Sequence, residues 1–187
     1  MLLKLTSETA DAQASEVRRG LPLKCPNEGR RPALLVTCRT GTRAWCEEEV
    51  GDALFEVSPD IVVVETGFPD VLVVCSSAEP RTLYNRAKGG EYGFVENIVP
   101  VDRVLSGLEE LEAAIKSAVR PGEKVRLRVK SFGVRGVSSE VWRRAVEYIE
   151  RAGGSVDKSS PTCLHIMVFK ESILLGKGLC KAVFKET

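Results

Sequence analysis

Apolar and cationic residues alternate without a break over residues 124–130, which read Lys-Val-Arg-Leu-Arg-Val-Lys. Successive side chains of a strand point to opposite faces, so Val125, Leu127 and Val129 share one face and four cations the other. A loop punctuated by Gly133 and Gly136 follows. A helix then opens at Ser138-Ser139-Glu140, with Val141, Trp142, Ala145, Val146 and Ile149 on one side. Gly153-Gly154 ends that helix. Residues 163–169 read as another strand, and residues 170–176 and 179–184 as strand-like pieces that could form a terminal hairpin.

The earlier part of the chain alternates in the same way between strand and helix periods. Residues 33–39 form an apolar strand. A turn at residues 40–42 caps a helix over residues 43–55, which places Cys46, Val50, Ala53 and Leu54 on one side. Two β-branched runs, 61–66 and 71–75, flank Gly67-Phe68-Pro69-Asp70 and predict a hairpin. Pro80 starts a helix over residues 79–86, which Gly89-Gly90 ends, and residues 94–101 form the next strand. Strand, helix, strand, strand, helix, strand is the ferredoxin-like order. Ser106 and Glu109 have capping-box spacing ahead of a helix with Leu108, Leu111, Ala114, Ile115 and Ala118 on one face; Pro121-Gly122 stops it. The expected fold class is α/β (α+β). A polar extension (1–31), with a short helix over residues 7–19, precedes a ferredoxin-like unit (32–92) and a second α/β unit (93–187).

Charge divides the chain unevenly. Residues 121–187 hold 13 of the 27 Lys and Arg and 7 of the 26 Asp and Glu, a net +6, which leaves −5 on residues 1–120. Such a split predicts a polyanion-binding face on the C-terminal third, with RNA the favoured polyanion. The expected contact set is Arg126, Arg128, Lys130, Arg135, Arg143 and Arg144, with Lys158 and Lys177 at its edge. Phe132 is the candidate stacking ring. The competing reading pairs the strand's cations with carboxylates, or leaves them as a solvated face.

Other chemistry finds little support. The six cysteines show no Cys-x-x-Cys pair and no metal-ligand spacing. Four lie in apolar patterns, where a thiol acts as a small hydrophobe; disulfides are expected only of a hyperthermophile source. His165 is the sole histidine, which excludes a His-based triad or a paired-His metal site. Glu47-Glu48-Glu49 face different directions on a helix and read as a solvated stretch. Trp45 and Trp142 read as core. Neither the arginine pairs at 18–19 and 30–31 nor Gly176-Lys177-Gly178 makes a site alone. Residues 153–159 are similar to an ATP-pyrophosphate loop, but they leave a helix and enter a strand, which is the wrong context. No cofactor or metal is expected. No stretch approaches the roughly 20 apolar residues of a membrane span, and the start turns polar at Lys4, so a cytoplasmic, non-catalytic protein is expected.

The run KVRLRVKSFGVRGVSSE, then GGSVDKSSPTCLHIMVFKESILLG, preceded by FVENIVPVDRVL, resembles the RNA-binding THUMP domain, over roughly residues 32–180. The resemblance is greatest to the stand-alone type, the partner subunit of tRNA cytidine acetylation. It implies a small ferredoxin-like domain ahead of a THUMP-like α/β domain, and recognition of tRNA architecture rather than base sequence. It also implies a modifying enzyme, an acetyltransferase, as partner. The alternative is a protein–protein interaction module with a solvated basic face. The loop Phe132-Gly133-Val134-Arg135 departs from stand-alone relatives, which are richer there in Arg and Asn.

Overall fold

The computed structural model describes residues 23–26 and 29–183; the helix expected over residues 7–19, with Arg18-Arg19, lies outside them. The first unit comprises β1 (Arg31–Cys38), α1 (Arg43–Phe55), β2 (Val62–Glu65), β3 (Val71–Ser76), α2 (Pro80–Ala87) and β4 (Val95–Pro100). Its strands are antiparallel in the order β2-β3-β1-β4, the ferredoxin-like arrangement. Period-two alternation sorts the side chains: Leu34, Val36, Leu72 and Val74 pack under α1 and α2, while Leu35, Val73 and Cys75 point to the opposite face. β4 bonds β1 from Leu34 opposite Pro100 to Cys38 opposite Val95, so the first sheet runs on to residue 100. Arg30 and Arg31 are tied into this unit, by Asp60 and Glu79 respectively.

The second unit comprises β5 (Arg103–Leu105), a 3-10 turn (Leu108–Glu110), α3 (Leu111–Ala118), β6 (Lys124–Ser131), α4 (Ser138–Arg151), β7 (Ser155–Val156), β8 (Thr162–Val168) and β9 (Ile173–Leu179). Its sheet order is β5-β9-β8-β6-β7. β6 and β8 are parallel, and α4 makes the crossover that parallel neighbours require. β8 and β9 form the terminal hairpin, from Val168 opposite Ile173 to Thr162 opposite Leu179. That corrects the expected strand pieces: residue 170 lies in the turn, and residues 180–183 form no strand. The cap of α3 also shifts. The Ser106 N–H and hydroxyl bond the Glu110 carboxylate at 2.8 and 3.1 Å, because the 3-10 turn displaces the helical phase by a residue. A ferredoxin-like unit followed by a second α/β unit is the α+β class the sequence predicts.

The two sheets share a core. Leu35, Val71, Val73, Cys75, Val99 and Val101 of the first meet Phe132, Met167, Phe169 and Leu174 of the second. β9 and β4 touch backbone to backbone at Gly176, where an added Cβ would lie 1.7 Å from the Pro100 carbonyl oxygen. Beyond β9 the chain returns to the first unit: Ala182 and Val183 fill the core under α1 and α2, and the Gly89 N–H bonds the Ala182 carbonyl at 2.8 Å.

All six cysteines pair, as Cys25–Cys75, Cys38–Cys46 and Cys163–Cys180. Their Cα separations of 4.9–5.8 Å lie within the ordinary disulfide window. The reading of these residues as small hydrophobic thiols is thereby corrected.

Candidate nucleic-acid interface

β6 carries out its alternation in full. Val125 and Leu127 are buried against α3 and α4, while Lys124, Arg128 and Lys130 are exposed and Arg126 is half-buried. The cationic face is the one turned away from the helices. β8 and β9 cover much of that side by packing on the first sheet through Met167, Phe169 and Leu174. β6 lies nearer the sheet edge, and its cations stay open to solvent.

Among the described residues, none of these cations forms an ion pair with a carboxylate. Arg126 donates from Nε to the Lys158 carbonyl at 2.6 Å, with a second contact from its Nη2, and Arg128 donates to the Cys180 carbonyl at 3.2 Å. The Lys130 ammonium sits 5.3 Å from the Phe132 ring centroid. Carbonyls fix the two guanidiniums and leave their full charge. Asp157 is occupied by the Ser159 hydroxyl and N–H, which hold its carboxyl below the ordinary value, and it acts on Lys124 and Arg126 without forming an ion pair.

The loop after β6 is rigidly seated. Phe132 stacks on Phe169 at 4.7 Å and 12°, Phe68 of the β2–β3 turn is tilted against both, and the Ser131 and Ser138 hydroxyls bond at 2.8 Å across the loop. Gly133 has φ +69°, and a Cβ there would meet the Phe68 ring at 2.7 Å. Phe132 is therefore buried and unable to stack on a base. The Ser138 hydroxyl, bonded to Ser131, is taken up within the fold and does not cap α4. Arg135 projects from this loop into solvent.

Other candidates separate from this strip. Arg143 and Arg144 lie on the solvent side of α4, hence across the sheet from the β6 cations; only the loop at residues 132–137 joins the two groups. Arg143 is exposed, and Arg144 pairs with Glu140 at 2.6 Å. Lys158 is exposed, and its carbonyl anchors Arg126. Lys177 lies elsewhere: its ammonium bonds Glu123 at 2.9 Å and the Ala118 carbonyl at 2.6 Å, on the helix side of β9. Among the described residues, only Arg144 and Lys177 of the eight candidates form ion pairs.

Two tryptophans read as core are on the surface, Trp45 at 60% and Trp142 at 44% exposure. Trp142 lies one turn into α4, adjoining Arg143, and supplies the exposed ring that Phe132 does not. A helical stripe one position too wide had absorbed it. Glu49 is also not free: it accepts from the N–H groups of Gly93, Phe94 and Val95 at 2.6, 2.8 and 3.3 Å, holding Phe94 against Trp45. His165, cross-strand from Arg128, is buried, and burial lowers its pKa to about 4, with Arg128 adding to the effect and a hydrogen bond to the Leu179 backbone opposing it. At residues 153–154 the N–H of Gly153 bonds the Glu150 carbonyl and that of Gly154 the Ile149 carbonyl, a complete Schellman end that leaves no phosphate loop.

This two-sheet architecture recurs in solved structures. PH1313 from Pyrococcus horikoshii Ot3 superposes with a TM-score of 0.60 at 16% identity, over 81% of this chain and 56% of that one. These chains share one fold. TrmN from Thermus thermophilus gives 0.58 at 20% identity, over 80% of this chain and 46% of TrmN. A 4-thiouridine synthetase, solved as an RNA complex with bound ATP, gives 0.53 at 16% identity, over 80% of this chain and 41% of the synthetase. The chain thus spans about half the length of these proteins or less. No family model matches the sequence, and no curated protein aligns with it. Among the described residues no helix is long and apolar enough to cross a membrane.

Proposed function

We propose that the chain is a non-catalytic tRNA-binding adaptor that presents tRNA to a separate modifying enzyme, a cytidine acetyltransferase. The observation that carries this reading is the face of β6, where Arg126, Arg128 and Lys130 stand in a row without an ion pair among the described residues. Alternate residues on a strand are about 6.6 Å apart, close to the spacing of successive phosphates along a nucleic-acid strand. Arg135 extends the row around the carboxyl end of β6 to Trp142 and Arg143. Phosphate contacts set the affinity, and Trp142 is the ring on which a base stacks. The likeness to a 4-thiouridine synthetase solved as an RNA complex supports RNA as the polyanion.

Filter binding of bulk tRNA at two salt concentrations tests this. The wild-type chain retains tRNA at low salt and loses it steeply as salt rises. Lys130→Gln with Arg135→Gln lowers the magnitude of the salt slope by roughly 0.7–0.9 per contact. Trp142→Ala weakens binding by about 1–3 kcal/mol and leaves the slope unchanged, because a stacked ring releases no counterion. Absence of retention at low salt removes the RNA reading.

A second surface fits the adaptor role. Trp45, Glu48, Asp52 and Phe55 fall at helical spacing on the exposed side of α1, and Phe55 is 62% exposed. Exposed aromatic anchors are typical of protein interfaces, while two carboxylates between them repel RNA and select a basic protein surface. Trp45→Ala with Phe55→Ala is expected to keep tRNA binding and abolish co-elution with the acetyltransferase. Co-elution undiminished places the enzyme elsewhere on the chain.

A further inference from the structure

A cleft of about 230 Å³ opens between the edge strand β5, the last turn of α3 and β9. Arg81, Arg103, Arg120 and Lys177 line it, together with Asp102 and Ser117. β5 is at the opposite edge of the sheet from β6 and β7, so the cleft is separate from the proposed RNA strip.

Its charges do not cancel. Asp102 receives the Arg81 guanidinium on both oxygens at 2.7 Å and the Lys177 N–H at 2.8 Å. Glu123, behind Lys177, receives that ammonium at 2.9 and 3.1 Å and the Arg120 N–H at 2.8 Å. Both carboxylates are thus fully engaged by Arg81 and Lys177. Two guanidiniums remain. Among the described residues Arg103 makes only a 3.4 Å contact to the Ser117 hydroxyl, and Arg120 acts on Glu123 without forming an ion pair.

We propose that this cleft binds a phosphate monoester, held by the Arg103 and Arg120 guanidiniums with the Ser117 hydroxyl as a further donor. Two unanswered positive charges match the dianion, and guanidiniums present forked donors suited to phosphate oxygens. The volume falls below the roughly 300–1,000 Å³ of pockets that enclose drug-sized ligands, so the cleft takes the phosphate group and leaves the rest of the molecule outside. Arg81 and Lys177, fixed by their own carboxylates, hold the walls apart without competing for the ligand. The phosphate comes either from the 5′ end of an RNA or from a small phosphorylated molecule.

Calorimetric titration of the full chain with inorganic phosphate is the first measurement. It should show saturable binding that tightens as pH rises and the phosphate gains its second charge. Arg103→Gln with Arg120→Gln should weaken it at least tenfold, while Lys130→Gln with Arg135→Gln should leave it unchanged. All four positions are exposed, and an unaltered melting temperature certifies the fold of each variant. Two RNA oligonucleotides of one sequence, with and without a 5′-phosphate, separate the sources. If the phosphate belongs to RNA, the phosphorylated oligonucleotide binds more tightly, and its advantage disappears in the Arg103/Arg120 variant. If it belongs to a small molecule, the two oligonucleotides bind alike while ribose 5-phosphate binds in the cleft. Lack of saturable phosphate binding, or equal binding by the Arg103/Arg120 variant, overturns the proposal whatever the tRNA assay returns.

Discussion

His165 is the most perturbed titratable group beside the proposed strip. Its imidazole is neutral in the folded protein down to about pH 4, while an unfolded chain protonates it at its ordinary value of 6.5. Between those values the unfolded state takes up a proton that the native state does not. Stability therefore falls as pH falls, by about 2 kcal/mol between pH 7.5 and 5. Denaturant unfolding at those two pH values should show this loss in the wild-type chain and a much smaller one in His165→Leu; an unchanged pH response places the titration elsewhere. The same residue shows what the sequence makes legible. That His165 is structural follows from its place between Leu164 and Ile166. That it lies cross-strand from Arg128 depends on a register between β6 and β8, set by the crossover of α4 and absent from local pattern. Arg126 and Arg128 divide similarly: their face was readable from alternation, but their carbonyl anchors, Lys158 and Cys180, lie 32 and 52 residues away.

At the scale of elements, long periodic segments were readable and short ones were not. β6 and α4 declare themselves by period, and the ferredoxin-like order follows from six such segments. β5 and β7 have three and two residues, too few for a period. The helical stripes were read one residue too wide, which placed Trp45 and Trp142 inside, since 100° per residue leaves the border of an apolar face ambiguous. The contact between β9 and β4 gives a direct element-scale prediction. Gly176→Ala sets a Cβ against the Pro100 carbonyl, and backbone cannot step aside as a side chain can. It should cost about 3 kcal/mol or more by separating the sheets. Gly51→Ala, in α1 with open space around it, should instead stabilise by roughly 0.5–1 kcal/mol. Thermal melts of the two variants compare these directly, and equal melting temperatures contradict the assignment.

Over the whole molecule the disulfides staple what the three cores join. Cys25–Cys75 fastens the segment before β1 to β3, Cys38–Cys46 ties β1 to α1, and Cys163–Cys180 locks β8 to the segment after β9. Sequence could not supply this connectivity, since six cysteines allow 15 pairings and none of the spacings is diagnostic. The loops close over 50, 17 and 8 residues for Cys25–Cys75, Cys163–Cys180 and Cys38–Cys46. Chain entropy then assigns about 4, 3 and 2.5 kcal/mol respectively. Replacing each pair by serine, with denaturant unfolding under oxidising conditions, should rank the losses in that order, and full reduction should exceed any single loss. No change on reduction would mean that the thiols are unpaired in solution.

The return of Ala182 and Val183 to the core under α1 and α2 bears on synthesis. About 83 residues are translated between the end of β4 and Val183, roughly 4–17 s at cellular elongation rates. During that interval the nascent first unit has every strand and helix it needs and still lacks the two side chains that close its core. A ribosome stalled before residue 180 should therefore hold an α1–α2 layer that is proteolytically open, whereas one stalled well beyond Val183 should hold it closed.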